Sequence, residues 1–192
     1  MIYIKTKNLI LLFAAFISIL SLNAQSKKEL KKSKVKSFHQ VHTSIENGKE
    51  TTFDALMQKF DNNGNLIEEI NYDKEGKFKT HFTAIYDKNS DKTEEQVFDG
   101  DGKLKKKKSY KYNAKGNRIE EVQMDPSGKI LEKTVISYNA NGNKVTEVKL
   151  DAANNPVEKT FYVYDKKGMV IQEKTVDPDG KLIKENRYTF EY

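Results

Sequence analysis

The chain has 192 residues, 36% hydrophobic and 32% charged, with a net charge of +6 and no cysteine. This composition is too apolar for disorder and too lean for a deep core, so one domain or one repeat array with a thin core is expected. The missing cysteine excludes disulfides, thiol nucleophiles, thiolate metal sites and lipid attachment at an N-terminal cysteine.

Residues 1–24 begin with Lys5 and Lys7, continue through the apolar run Leu9 to Leu20 and end at Ser21-Leu22-Asn23-Ala24. A basic start, a run too short to span a bilayer and a small residue before Gln25 form the pattern of a cleaved secretory signal peptide. The mature chain is therefore expected to be exported, periplasmic or extracellular, with no transmembrane segment left after cleavage. Loss of Lys5 and Lys7 lowers the net charge from +6 to +4. Residues 25–34, QSKKELKKSK, lack a sustained apolar stripe and read as a basic linker, with a short helical turn as the alternative.

Residues 35–59 form a capping hairpin around Asn47-Gly48, the dipeptide favoured in two-residue hairpin turns. From residue 60 to 192 the chain repeats itself. Turn signals of the form apolar residue, Asp or Asn, two variable residues, then Gly open at Phe60, Tyr72, Tyr86, Phe98, Tyr112, Met124, Tyr138, Leu150, Tyr164 and Val176. Asp or Asn bonds the backbone two residues on, and Gly at the fourth position takes the left-handed conformation. A shorter step, as from Phe60 to Tyr72, alternates with a longer one, as from Tyr72 to Tyr86, giving a 26-residue period. Ser90 and Asn154 replace the expected Gly; Asn tolerates positive φ, whereas Ser weakens the turn signal.

The predicted fold is all-β, an antiparallel meander of β-hairpin repeats. Twelve strands exceed what an open twisted sheet usually holds flat, so a curved or partly rolled sheet is expected. Both steps are even in length, and uniform turns would bring every opening aromatic residue to one face. That face would collect Leu66, Ile70, Tyr72, Phe78, Phe82, Tyr86, Tyr110, Tyr112, Ile136, Tyr138, Tyr162, Tyr164, Tyr188 and Phe190, with Glu68, Glu94, Lys106, Lys108, Glu120 and Glu132 as a charged stripe among them.

The stretches Tyr112 to Asn139 and Tyr164 to Phe190 carry the pattern YD/YN-x-x-G, D-P-x-G and Y-x-Y-D/N. This resembles the YD repeats of the RHS family of bacterial secreted proteins, and it implies hairpin-repeat architecture and extracellular binding. Gly76-Lys77 and Gly180-Lys181 also resemble elements of MORN-like hairpin repeats.

Catalysis finds little support. His39, His42 and His81 are the only histidines, and the first two alternate across a strand, which disfavours a shared metal or acid-base site. No Ser-His-Asp set or phosphate-cradling glycine loop appears. Turn chemistry accounts for Asp99-Gly100-Asp101-Gly102 without calcium. Strand alternation divides Lys105 to Lys108 between two faces, across from Glu94 and Gln96, so cross-strand pairing is expected rather than nucleic-acid binding. No enzyme activity, cofactor or metal is implied. The expected function is a glycan- or protein-binding module of the bacterial envelope, with a purely structural scaffold as the alternative. Tyr86, Tyr112, Tyr138 and Tyr164, which recur once in each period, are the candidate ligand-binding residues.

Overall fold

A computed structural model describes residues 26–191, so the expected signal segment at 1–24 lies outside the described residues. The order is helix α1 (Lys27–Lys32), then strands β1 (Ser37–Glu46), β2 (Lys49–Phe60), β3 (Leu66–Tyr72), β4 (Phe78–Tyr86), β5 (Lys92–Asp99), β6 (Leu104–Tyr112), β7 (Arg118–Met124), β8 (Ile130–Tyr138), β9 (Lys144–Asp151), β10 (Pro156–Tyr164), β11 (Val170–Val176) and β12 (Leu182–Arg187). The twelve strands form one antiparallel sheet in sequence order, and β1 and β12 do not meet. It is an open meander. Among the described strands, contact runs between consecutive ones, so each hairpin leans on its neighbours.

The turns behave as their chemistry dictates. In the turn opening at Met124, the Asp125 backbone N–H donates to Lys129 O at 2.9 Å and Gly128 N–H to Asp125 O at 3.0 Å. Asp125 Oδ1 accepts from the N–H groups of Ser127 and Lys129 at 2.9 and 3.0 Å. Gly128 has φ +86° with open space around it, so glycine is needed for its backbone and not for room. The two exceptions keep the same conformation, Ser90 at φ 66° and Asn154 at φ 64°. Ser90 has a further use, because its Oγ accepts from Asn65 Nδ2 of the turn one period earlier at 3.2 Å.

The common face inferred from even spacing is overturned by a second irregularity. Tyr112 pairs with Arg118, but Lys111 pairs with Glu120, leaving Ile119 as an extra residue. The same one-residue shift follows every turn from Phe60 to Val176, for example between Gln123 and Met124 and between Ser137 and Tyr138. A bulge changes which residues share a face. Paired residues lie on one side of the sheet, so the register places Phe60, Phe82, Tyr86, Tyr110, Tyr112, Tyr138, Tyr162 and Tyr164 on one face. We call it the tyrosine face. Ile70, Tyr72, Phe78, Phe98, Met124 and Val176 fall on the reverse face, as do Glu68, Glu94 and Glu120.

Burial is shallow and mostly on the tyrosine face. Phe60, Ala84, Tyr110 and Ile136 are buried there, Ile70 and Val176 on the reverse, and among the described residues no side chain is less than 2% exposed. Stability must therefore come from cross-strand pairs. The basic segment is partly helical: Ser26 caps α1 in a capping box with Glu29, and Leu30 is buried.

Candidate functional site

The tyrosine face carries one side-chain set that recurs in the three central units. A basic residue opens an odd-numbered strand, a glutamate follows three residues later, and a tyrosine closes the next strand. In the unit built by β5 and β6, Lys92 Nζ lies 2.7 Å from Glu95 Oε2 and 5.5 Å from the centres of the Phe82 and Tyr110 rings. The Tyr112 hydroxyl donates to Lys92 O at 2.9 Å.

The next two units repeat this geometry. Arg118 lies 3.2 Å from Glu121 and 5.3 Å from the centre of the Tyr110 ring, and the Tyr138 hydroxyl donates to its carbonyl at 2.8 Å. Lys144 lies 2.9 Å from Glu147 and 4.1 Å from the centre of the Tyr162 ring, and the Tyr164 hydroxyl donates to its carbonyl at 2.7 Å. Each tyrosine thus ties the end of one strand to the start of the strand before it. The tie closes the end of the hairpin that has no turn.

The Glu95 carboxylate is held in its charged form. Burial alone would raise the Glu95 carboxyl, but Lys92, the Tyr110 hydroxyl and Lys108 together keep it below the usual carboxylate range. Tyr110 is pushed the other way, first by burial and then by the Glu95 charge, so it remains a hydrogen-bond donor. Tyr162 and Tyr188 donate to Glu147 and Glu173 at 3.4 and 3.2 Å in the corresponding places. Burial would lower Lys144, but Tyr162 and Glu147 raise it.

All four tyrosines singled out from the sequence, Tyr86, Tyr112, Tyr138 and Tyr164, stand on this face at the same end of the sheet. Successive members are two strands apart, about 9.5 Å at normal strand spacing. All four are half-buried. Sequence reasoning missed the acids that accompany them. Glu69, Glu95, Glu121, Glu147 and Glu173 recur once per period without exception, a signal legible in the sequence but hidden there by the wrong sorting of faces.

The remaining candidates are dispersed. Lys107 pairs with Glu94 at 3.0 Å on the reverse face, and Lys108 pairs with Glu121 on the tyrosine face. The lysine run is thus divided between faces as expected, though Lys108 stands opposite Glu95 and Lys107 opposite Gln96. His39 contacts Asp54 at 3.1 Å, and His81 contacts Glu68 at 3.0 Å while stacking on Phe98. Among the described residues no three metal-binding side chains converge.

Two stretches of the chain, residues 53–74 and 93–112, match the MORN repeat variant. The first spans β2 and β3 and the second β5 and β6, so each match is one hairpin with its turn. The chain is a repeat-containing β-structure, and the match supports the repeat class without singling out the YD/RHS assignment. No curated protein matches the chain. Among solved structures, TcdB2-TccC3 is 13% identical with a TM-score of 0.44, over 78% of this chain and 10% of that one. A porin-like protein from Bacteroides uniformis is 10% identical with a TM-score of 0.35, over 71% of this chain and 54% of that one. A protein of unknown function from Bacteroides fragilis is 13% identical with a TM-score of 0.26, over 82% and 96%. The chain spans a tenth and about half of the first two, and these likenesses carry no functional argument.

Proposed function

We propose that the protein is an exported, non-catalytic module of the bacterial envelope that binds an extended glycan or protein along its tyrosine face. One observation carries this reading: a half-exposed tyrosine ring, a cation and a carboxylate recur together in successive units on an open sheet surface. Aromatic rings offer apolar faces to the C–H faces of sugars, and charged groups beside them can bond hydroxyls. Repetition at about 9.5 Å suits a ligand that itself repeats along its length. The alternative, a purely structural scaffold of the envelope, draws on the tyrosine hydroxyls, which are already engaged by backbone carbonyls.

A glycan panel and a pull-down from envelope extract, run with the wild type and with Tyr112, Tyr138 and Tyr164 changed to Leu, separate the two. A binding module loses retention beyond the loss of folded protein measured by melting. Retention of no glycan and no envelope protein by the wild type would leave the scaffold reading.

A further inference from the structure

We propose that α1 is a basic docking face for an anionic phospholipid bilayer, independent of any ligand on the tyrosine face. Residues 27–36 contain six lysines and one acid, Glu29. That acid is occupied in the capping box, where its carboxylate accepts from the Ser26 backbone N–H at 2.7 Å.

The lysines are sorted by the helix. At about 100° per residue, Lys27, Lys28, Lys31 and Lys32 fall within roughly 140° of arc, while Leu30 and Glu29 lie outside it. The four lysines are exposed and Leu30 is buried. Leu30 seats the helix against the first tyrosine-end turn. A Cβ on Gly64 would meet Lys27 O at 2.7 Å and Leu30 Cβ at 3.4 Å, so that turn approaches the helix closely. Asp61, in the same turn, accepts from Asn65 and feels the Lys27 charge. The basic face is therefore fixed to the rim of the sheet and turned away from it.

A bilayer is favoured over a soluble polyanion by position in the chain. Only the short segment Ser21 to Ser26 separates the apolar run Leu9 to Leu20 from Lys27, a reach of at most about 25 Å. That run is expected to engage a bilayer during export, so the helix reaches the headgroup layer before cleavage after Ala24 releases the mature chain, and the lysines are then left beside anionic headgroups. Clustered lysines at that distance each strengthen attraction to anionic lipid.

The test is flotation of the mature chain, beginning at Gln25, with vesicles of phosphatidylcholine alone and of phosphatidylcholine containing one-third phosphatidylglycerol. The expected result is at least about tenfold tighter partitioning to the anionic vesicles in low salt. It should vanish near 0.5 M salt, where the Debye length is about 4 Å. Lys28→Gln with Lys31→Gln and Lys32→Gln should remove most of the preference, each lysine counting roughly a factor of five. Lys103→Gln with Lys129→Gln and Lys181→Gln, at the opposite row of turns, alters net charge equally and should leave it unchanged. Equal partitioning to both vesicles, or equal loss in the two triple variants with circular dichroism intact, overturns the proposal.

Discussion

On the tyrosine face, Glu69, Glu95, Glu121, Glu147 and Glu173 occupy one position in every unit, while the residues just before them, on the reverse face, are Glu68, Glu94, Glu120, Thr146 and Gln172. The strands are the same and the demands differ. On the tyrosine face each carboxylate receives side-chain donors, and in the three central units a basic residue and a hydroxyl tie close the free end of the hairpin. The reverse face has local devices instead, such as His81 on Phe98 and Glu120 between Lys111 and Lys133. A thin sheet without a dry core needs one face that locks each unit to the next. Its other face needs only to remain soluble and pair locally.

The contrast is broken most directly by truncating one side chain on each face. Tyr110 is 7% exposed and underlies both Lys92 and Arg118. Tyr110→Ala should cost about 3 kcal/mol in urea melts, as large buried truncations do. Val163, on the reverse face, is 44% exposed, and Val163→Ala should change stability by less than about 0.5 kcal/mol. Equal losses would mean that the two faces share the burden.

Turn substitutions come next and test the feature that sorts residues between faces. Gly128→Val should destabilise by roughly 1 to 2 kcal/mol, because φ +86° is costly for a β-branched residue even in open space. Asn154→Gly, at φ 64°, should be neutral or slightly stabilising. A neutral melt for Gly128→Val would refute the left-handed turn conformation at that position.

The twelve strands and their meander order were legible because Asp or Asn opens each repeat turn and Gly closes all but those at Ser90 and Asn154, by local chemistry alone. The sorting of faces was not. The extra residue after each turn, Ile119 or Leu131 for example, is an ordinary apolar side chain with nothing in it to announce a bulge. Counting by twos across it therefore put Tyr72 and Glu120 beside Tyr112. Tyr86, Tyr112, Tyr138 and Tyr164 were found correctly as a ladder because one full period crosses two bulges, which cancel. Their acceptors, the carbonyls of Lys92, Arg118 and Lys144, are backbone atoms that no side-chain pattern reports.

Removing one tie without the ring isolates the hydroxyl. Tyr112→Phe keeps the half-buried ring and leaves Lys92 O without the tyrosine donor, a change of about 1 kcal/mol. Amide exchange should quicken at the start of β5 and the end of β6 and stay unchanged near Asp99, at the turn end of the same hairpin. Uniform quickening throughout β5 and β6 would show that the tie acts globally and does not close one end.

The smallest effect sharpens the comparison most, since it sets like against like. Lys92 with Glu95 and Lys107 with Glu94 are lysine–glutamate contacts at 2.7 and 3.0 Å involving β5, on opposite faces. Glu95 is 16% exposed and also bonds Tyr110, whereas Glu94 is 36% exposed. Exposed pairs contribute about 0.2 to 1 kcal/mol and fade with salt. Double-mutant cycles with Gln substitutions should place Lys107 and Glu94 at the bottom of that range, vanishing in about 1 M salt, where the Debye length is about 3 Å. The Lys92 and Glu95 coupling should be larger and should persist. The two differ in acid as well. The Glu95 carboxyl is depressed in the folded chain, so its contribution is complete above the ordinary value of 4.5 and is lost as pH falls through the lowered one. Glu95→Gln should therefore flatten the decline in stability below pH 4.5. An acid limb unchanged by Glu95→Gln, with equal couplings on both faces, would remove the carboxylate ladder as the reason why one face repeats.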